Sequence, residues 1–392
     1  MNKCVFNPCL VLSILAGAAL LSSSMAAQES SERLVLEREG RVISLVPYAP
    51  NIVRVTMSSD TKVATSDPGY GITATPSAEG WMHERDADGD DVFRSSQMVV
   101  RIGPGNLPED KLPAPMPLDP LNRELREQYF PGSGGFGPHQ DAILITAADG
   151  RMLLHMRSWM MTPEAADVAA AHPEDKGHRV MAVFDSPSDE HYYGLGQQQK
   201  GWMDLRDRQV RCWHDYGDIG GENVCVPFMV STRGYGLIWD NPSKTTVDLG
   251  FNGRNVWSSE VGDRVSYFVI AGKTTDEIYG GYRLLSGVTH LLPRAVYGYI
   301  QSKAIYPTQE QILDLAKGYR DRKLPLDVVV VDFLNMTKQG EMDLDPKRWP
   351  DPAAMNRDLH AENVRTLLSV WPHFAPGTQF YDMLESKGWL IH

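Results

Sequence analysis

Residues 291–392 alternate between short apolar runs and amphipathic segments, and this alternation restricts the fold more than any other feature of the chain. Leu326–Val331 ends in four consecutive valines. Such a run, β-branched and apolar on both faces, is typical of a parallel strand covered on both sides. Thr366–Val370 and the segment that begins at Leu291 give two more strands. The resulting order of strand, helix, strand, helix, strand predicts right-handed βαβ units.

The two intervening helices carry start signals. Thr308 is the predicted N-cap of the first, with Gln311 at the spacing of a capping box. Asp351 is the predicted N-cap of the second, and Pro352 stands at its first helical position. The residues predicted to form their buried faces are Ile312, Leu315, Ala316 and Tyr319, then Met355 and Leu359.

Two side chains follow the predicted strands directly, and they are the first candidates for ligand binding. Asp332 comes after the valine run and Trp371 after Thr366–Val370. In a (β/α)8 barrel, ligand residues lie at the carboxyl ends of the strands. A carboxylate binds sugar hydroxyls by charge-assisted hydrogen bonds, and an indole face covers sugar C–H groups. The alternative for Asp332 is a structural aspartate that caps a loop, and the alternative for Trp371 is an aromatic residue of the core.

Residues 32–290 consist mostly of short apolar runs separated by turn signals, a pattern typical of a β-sandwich. Pro163–Ala171 is the only candidate there for a helix of three turns. Residues 103–140 are rich in proline and glycine and predict a long surface excursion. The runs read as strands are Leu34–Leu36, Val42–Val46, Ile52–Met57, Met98–Ile102, Ala142–Thr146, Met152–His155, Val180–Phe184, Val226–Ser231, Gly236–Trp239, Thr245–Leu249 and Val265–Ile270.

The amino terminus has the features of a cleavable signal peptide over residues 1–26. Lys3 is followed by the apolar run Leu10–Leu21 and then by small residues at Ser24 and Ala26. We therefore expect a periplasmic or secreted protein. The apolar run is too short to span a membrane, so no stable membrane span is expected after cleavage.

Charge and cysteine usage restrict the partners. The net charge of −12 argues against nucleic acid and anionic membranes as main partners. No Cys/His spacing resembles a metal site, and no cofactor is expected. Cys212 and Cys225 remain after signal cleavage, as either a disulfide or two buried thiols. The oligomeric state stays open.

Several motifs resemble those of glycoside hydrolase family 31, in the order in which that family carries them. Those that resemble its N-terminal sandwich are Tyr193–Gln197, Pro227–Ser231, Arg233–Gly236 and Asp240–Pro242. Gln197 departs from the glutamate usual there. Those that resemble its barrel are Pro293–Arg294, Tyr297–Tyr299, Leu324–Val328, Asp332, Asp343–Pro346, Trp349–Pro352 and Ser369–Pro372. The resemblance implies a multidomain chain. A galactose-mutarotase-like β-sandwich (27–290) precedes the first strands and helices of a (β/α)8 TIM barrel (291–392), which is incomplete within these residues.

The resemblance also implies a function. Members of the family are retaining α-glycosidases, chiefly α-xylosidases and α-glucosidases, which need two carboxyl groups about 5 Å apart. Both come from later barrel strands, so the nucleophile and the acid/base are expected beyond His392, and residues 1–392 alone are expected to be inactive on oligosaccharides.

Four residues are the predicted substrate-binding set. Asp332 and Trp371 match the family's sugar-binding positions, and Phe333 is a candidate pocket wall, with core packing as the alternative. Asp215, in Trp213–Asp215, matches a sandwich loop that reaches the active site, with a solvated loop residue as the alternative. The acidic residues Glu341, Asp343 and Asp345 are expected to be structural.

Two other functions remain open. The first is a non-catalytic carbohydrate-binding protein of the mutarotase-like sandwich type, and the second is a sugar mutarotase. Asp332 and Trp371 favour the glycosidase, because a binding sandwich needs no barrel residues aimed at a sugar. A mutarotase needs a facing His and Glu, and no convincing pair is present. The sequence does not separate xylose from glucose specificity, although Gln301–Lys303 leans towards α-xylosidases.

Overall fold

The computed structural model describes residues 33–38, 40–103, 142–163, 177–198, 200–213, 224–332 and 335–391. They divide into two compact units, Met1–Val288 and Thr289–His392. The predicted signal peptide, nearly all of the proline-rich excursion and residues 164–171 of the candidate helix lie outside the described residues.

In the described part of the first unit, strands form two antiparallel sheets, which confirms the predicted sandwich. Seven strands pair in the order β1-β2-β3-β16-β13-β12-β10, and nine in the order β11-β14-β15-β9-β8-β7-β6-β5-β4. The bounds are β1 Leu34–Arg38, β2 Arg41–Ala49, β3 Ile52–Ser58, β4 Met82–Arg85, β5 Asp91–Arg94, β6 Met98–Ile102, β7 Ile143–Ala147, β8 Met152–Pro163, β9 His178–Asp185, β10 Tyr192–Gly194, β11 Arg208–Cys212, β12 Phe228–Ser231, β13 Tyr235–Trp239, β14 Thr245–Leu249, β15 Arg254–Gly262 and β16 Val265–Ala271.

The main core of this unit lies between the two sheets. Trp239 and Trp257 stack there with ring centroids 5.5 Å apart, and both are fully buried. Strand β15 was not predicted because polar residues occupy the inward positions on both sides of Trp257. Asn255 and Ser259 are buried, and Ser259 Oγ accepts a hydrogen bond from Trp239 Nε1 at 2.8 Å. A polar residue can lie in the core when a buried partner satisfies its hydrogen bond. Such a residue breaks the alternation of apolar and polar residues by which a strand is recognised in the sequence.

A second core cluster covers the other face of the seven-stranded sheet, under a helix that the sequence did not predict. Among the described residues of this unit, the α-helices are α1 Thr61–Ala64 and α2 Thr275–Ser286. The expectation of no other three-turn helix was wrong at α2, because Gly280 and Gly281 interrupt its pattern and have poor helix propensity. A Cβ on Gly281 would lie 2.4 Å from Ile270 Cγ2, so close packing on the sheet requires the glycine.

The second unit contains a three-stranded parallel sheet in the order β17-β18-β19, which confirms the predicted βαβ units. Both predicted N-caps are confirmed: Thr308 Oγ1 accepts from Gln311 N at 3.4 Å, and Asp351 Oδ1 from Ala354 N at 2.8 Å. The third strand ends at Leu368, two residues earlier than predicted. The bounds are β17 Ile300–Gln301, α3 Gln309–Asp321, β18 Val328–Val331, α4 Pro352–Ala361, β19 Arg365–Leu368 and α5 Gln379–Glu385, with a 3-10 helix at Arg294–Tyr297.

Candidate functional site

Asp332 and Trp371 lie at the same edge of the parallel sheet. Strand β18 ends at Val331, whose register partner in β19 is Leu368. Ser369 N continues the ladder by donating to Val331 O at 3.0 Å. Asp332 therefore follows its strand directly, and Trp371 follows two residues after that last bond. Trp371 is 39% exposed, so part of its ring is accessible. The predicted residue Phe333 lies outside the described residues.

A buried asparagine fixes the backbone at Asp332. Asn335 Nδ2 donates to Asp332 O at 2.8 Å, and Asn335 is only 3% exposed. Asp345 N in turn donates to Asn335 O at 3.0 Å. Asn335 was not among the predicted site residues, and its only sequence signal is an amide three residues after Asp332. Through this hydrogen bond Asn335 holds the backbone carbonyl of Asp332 in place.

The acidic residues of the loop after β18 have structural partners. Asp343 accepts from Thr337 N at 3.0 Å and from Thr337 Oγ1 at 2.6 Å. A hydrogen bond from Lys347 N, and then one from Arg348, lower the pKa of Asp345. Glu341 Oε1 accepts from Gln379 N at 3.0 Å. These contacts agree with the structural role that the resemblance implies for this stretch.

The loops that follow β18 and β19 contact each other. Lys338 Nζ donates to Pro376 O at 2.9 Å, and Ala375 N donates to Gln339 O at 3.3 Å. A Cβ on Gly340 would lie 2.7 Å from Phe374 Cα. The two segments that carry Asp332 and Trp371 are therefore held together beyond the ends of their strands.

Gln301, at the end of β17, is engaged by tyrosines. Its Oε1 accepts from Tyr299 and Tyr319 hydroxyls, each at 2.7 Å, and its Nε2 donates to Tyr306 at 3.1 Å. The hydrogen bond with Tyr299, followed by burial, raises the pKa of Tyr319 to about 12. Both the oxygen and the nitrogen of the Gln301 amide are thus occupied by hydrogen bonds within the second unit, which indicates a structural role.

A second candidate site lies in the first unit, beside a disulfide. Cys212 and Cys225 are bonded, with Cα atoms 5.0 Å apart, which settles the alternative left open by the sequence. A cavity of about 310 Å³ adjoins them. Trp213 is 41% exposed at this cavity, whereas Asp215 lies outside the described residues. The lining residues are Cys212, Trp213, Cys225, Pro227, Asn241, Pro242, Ser243 and Thr245.

Removing this disulfide is expected to lower the free energy of unfolding by about 2–3 kcal/mol, because the bond closes a loop whose ends are 13 residues apart. The test compares urea unfolding of the wild type with that of the double variant Cys212→Ser, Cys225→Ser. A reductant should weaken the wild type to the level of the variant and leave the variant unchanged. Equal weakening of both proteins would contradict the assignment.

The glycine motif next to the disulfide has a backbone explanation. Gly194, Leu195 and Gly196 all have positive φ, at 110°, 60° and 85°. A Cβ on Gly196 would lie 1.8 Å from Val224 O, so only glycine fits there. Gln197 then bridges to Val224, one residue before Cys225. The motif therefore contacts the backbone next to the disulfide, and Gln197 and Val224 exchange two backbone hydrogen bonds.

The described residues contain no group of three or more His, Cys, Asp or Glu side chains placed to hold a metal ion. None of their helices combines the length and apolarity needed to cross a membrane.

Comparison with known proteins identifies both units. Residues 42–248 match the glycosyl hydrolase 31 N-terminal galactose mutarotase-like domain, and residues 289–392 match the glycosyl hydrolases family 31 TIM-barrel domain.

Similar curated proteins include a family 31 glucosidase of Pseudescherichia vulneris, described as uncharacterized, and an α-xylosidase of Saccharolobus solfataricus. Each is 35% identical over 55% of this chain. The chain spans 39% and 30% of their respective lengths.

Solved structures of similar fold include a family 31 α-xylosidase from a soil metagenome, complexed with xylose, with a TM-score of 0.74 and 21% identity. Another is the family 31 α-xylosidase of Xanthomonas citri, with a TM-score of 0.72 and 17% identity. This chain is covered to 91% in both cases and spans 49% and 51% of those chains. The matched domains follow each other in the same order as the two units of the fold, and the chain belongs to glycoside hydrolase family 31.

Proposed function

We propose that the chain is part of an exported retaining α-glycosidase that removes terminal α-linked xylose or glucose from oligosaccharides. One observation carries the proposal: Asp332 and Trp371 follow two neighbouring parallel strands at the same edge of the sheet. The backbone of Asp332 is held there by a hydrogen bond from Asn335. The names of the relatives, α-xylosidase and glucosidase, support the substrate class. Retention requires two carboxyl groups about 5 Å apart, and we place both in the part of the relatives that this chain does not span.

In this proposal Asp332 accepts hydrogen bonds from hydroxyls of the terminal sugar, and the Trp371 ring lies against its C–H face. Phe333 and Asp215 lie outside the described residues, and their substrate-binding roles stay predictions from the family resemblance. Export is supported by the signal-like residues 1–26 and by the Cys212–Cys225 disulfide, since disulfides persist in oxidising compartments.

Residues 1–392 alone are expected not to hydrolyse 4-nitrophenyl α-xyloside or α-glucoside, because neither catalytic carboxylate is assigned within them. The measurement is nitrophenol release against a blank without protein. A chain extended to the length of the relatives should release nitrophenol and give a product with retained anomeric configuration, read by NMR. Turnover by the 392-residue chain that survives removal of contaminants would contradict the proposal.

A non-catalytic carbohydrate-binding sandwich is the second candidate, and the cavity beside Trp213 favours it. This candidate and the glycosidase predict different results. If the sandwich is the binding site, the binding of xylose or glucose to the 392-residue chain depends on Trp213 and not on Trp371. Trp213→Ala and Trp371→Ala, compared by titration with xylo- and gluco-oligosaccharides, separate the two functions.

A further inference from the structure

Three side chains on the outer face of the nine-stranded sheet meet around the carboxylate of Asp185. Asp185 Oδ2 contacts His155 Nδ1 at 2.7 Å, and Asp185 Oδ1 accepts from both Arg157 Nε and Arg254 Nη1. We call these residues the Asp185 cluster. They come from three neighbouring strands, β8, β9 and β15.

The backbone register brings the cluster together. Arg254 is the direct partner of Asp185 where β15 pairs with β9. On the other side of β9, the register of β8 shifts between Met156 and Ser158, and Arg157 is the extra residue of this bulge. A bulge re-aims the side chain of its extra residue, and here it points the Arg157 guanidinium at Asp185.

The cluster carries more positive than negative charge. One carboxylate faces two guanidinium groups, which leaves a charge of +1 when His155 is neutral, in a chain of net charge −12. Burial and then the charge of Arg157 lower the pKa of Arg254, so the two guanidinium groups repel each other. Burial would raise the pKa of Asp185, but hydrogen bonds from His155 and Arg157 outweigh it and bring the pKa to about 2.

Several donors of the cluster have no hydrogen-bond partner among the residues that the structure describes. Within the described residues, Arg157 uses only Nε and Arg254 only Nη1 in hydrogen bonds, so the other guanidinium N–H groups have none. The neighbouring Ser158 Oγ is buried and has no hydrogen-bond partner there. The side chains of Asp185, Arg157, Arg254 and His155 are 17–23% exposed, which gives a small ligand access to donors already held in place.

We propose that the Asp185 cluster is a binding site for a monocarboxylate, held by Arg157 and Arg254 and oriented by Asp185. Guanidinium forks match the planar geometry of a carboxylate. The excess charge of +1 is neutralised by a single negative charge, whereas a dianion would leave the site with a net charge of −1. The carboxylate can belong to an acidic sugar or to a free organic acid. This site is independent of the barrel residues and of the proposed glycosidase activity.

Isothermal titration of the 392-residue chain at low ionic strength tests the site, with D-glucuronate, acetate and D-glucose as ligands. Glucuronate should bind, and any binding of glucose, which has the same ring without the carboxylate, should be the same in the wild type and in the cluster variants. Arg254→Gln and Arg157→Gln should each weaken binding by about tenfold or more, the loss expected for a charge-assisted hydrogen bond. Acetate binding as tightly as glucuronate would identify a free acid as the ligand, and glucuronate binding alone would identify an acidic sugar.

Arg179→Gln is the matched control, because Arg179 is an exposed arginine on the same strand as Asp185 and lies outside the cluster. It should leave binding unchanged. If the cluster variants fail to fold, phenylglyoxal labelling of the wild type replaces them, and glucuronate should protect Arg157 and Arg254 but not Arg179. No binding of either acid, equal losses of glucose and glucuronate binding in the cluster variants, or equal loss in Arg179→Gln would overturn the proposal, as would an absence of protection.

Discussion

Replacing Asp240 with alanine is expected to lower the free energy of unfolding of the sandwich by about 3–5 kcal/mol, the usual loss when one partner of a buried ion pair is removed. Asp240 Oδ2 lies 3.0 Å from Arg54 Nη2, and the two side chains are 8% and 2% exposed. Burial lowers the pKa of Arg54, and the charge of Asp240 opposes this shift. Without Asp240, the guanidinium would stay buried without its counter-charge.

Asp240 also joins separate parts of the sandwich. Its Oδ2 accepts from Ser266 Oγ at 3.0 Å, and its Oδ1 accepts from Gly69 N at 2.9 Å. The residue belongs to the Asp240–Pro242 motif, so this stretch of the family resemblance has a structural role.

Urea unfolding of the 392-residue chain, followed by tryptophan fluorescence, measures the effect of Asp240→Ala. Asp263→Ala is the control, because the Asp263 side chain is 69% exposed and its closest ion-pair contact is at 4.0 Å. The control should change the free energy of unfolding by less than about 0.5 kcal/mol. A loss in Asp240→Ala no larger than that of the control would show that Arg54 finds another partner or water.

Asp332→Ala, made in a chain extended to the length of the relatives, is expected to reduce kcat/KM by about 10²-fold or more. This corresponds to about 3 kcal/mol of lost transition-state stabilisation, because charge-assisted hydrogen bonds to the sugar hydroxyls disappear. The fold should be retained, since the hydrogen bond from Asn335 goes to the Asp332 backbone carbonyl and survives the substitution.

Steady-state kinetics on 4-nitrophenyl α-xyloside and α-glucoside give this ratio, with circular dichroism as the check on folding. Asp321→Ala is the control on the same unit, because its side chain is 58% exposed and pairs only with Lys317 among the described residues. Near-normal kcat/KM for Asp332→Ala would refute the binding role of this carboxylate. A similar loss in Asp321→Ala would assign the effect to the unit as a whole.

The sequence alone predicted the second unit well, because its signals are local. The valine run predicted β18, and the capping residues Thr308 and Asp351 gave the starts of α3 and α4. Parallel pairing then followed from the alternation of strands and helices. The positions of Asp332 and Trp371 at one edge follow from this topology, and their role in binding stays a prediction.

Other features were decided only by contacts between residues far apart in the chain. Helix α2 contains Gly280 and Gly281, and it is stabilised by burial on the sheet near Ile270 rather than by its own propensity. Strand β15 keeps Ser259 in the core because Trp239 supplies the partner. The energies that select these arrangements come from packing and hydrogen bonds formed after the sheets assemble. The one local signal of α2 is its start, where Thr274 Oγ1 accepts from Glu277 N at 3.2 Å.

The Asp185 cluster shows the same limit most clearly. His155, Arg157, Asp185 and Arg254 are dispersed along the sequence and belong to no motif. Strand order and one bulge in β8 bring them together. The sequence by itself thus determined which segments form strands and helices in the second unit and which family the motifs resemble. The tertiary structure decided which polar groups meet, because sheet register and burial, not spacing along the chain, set their distances.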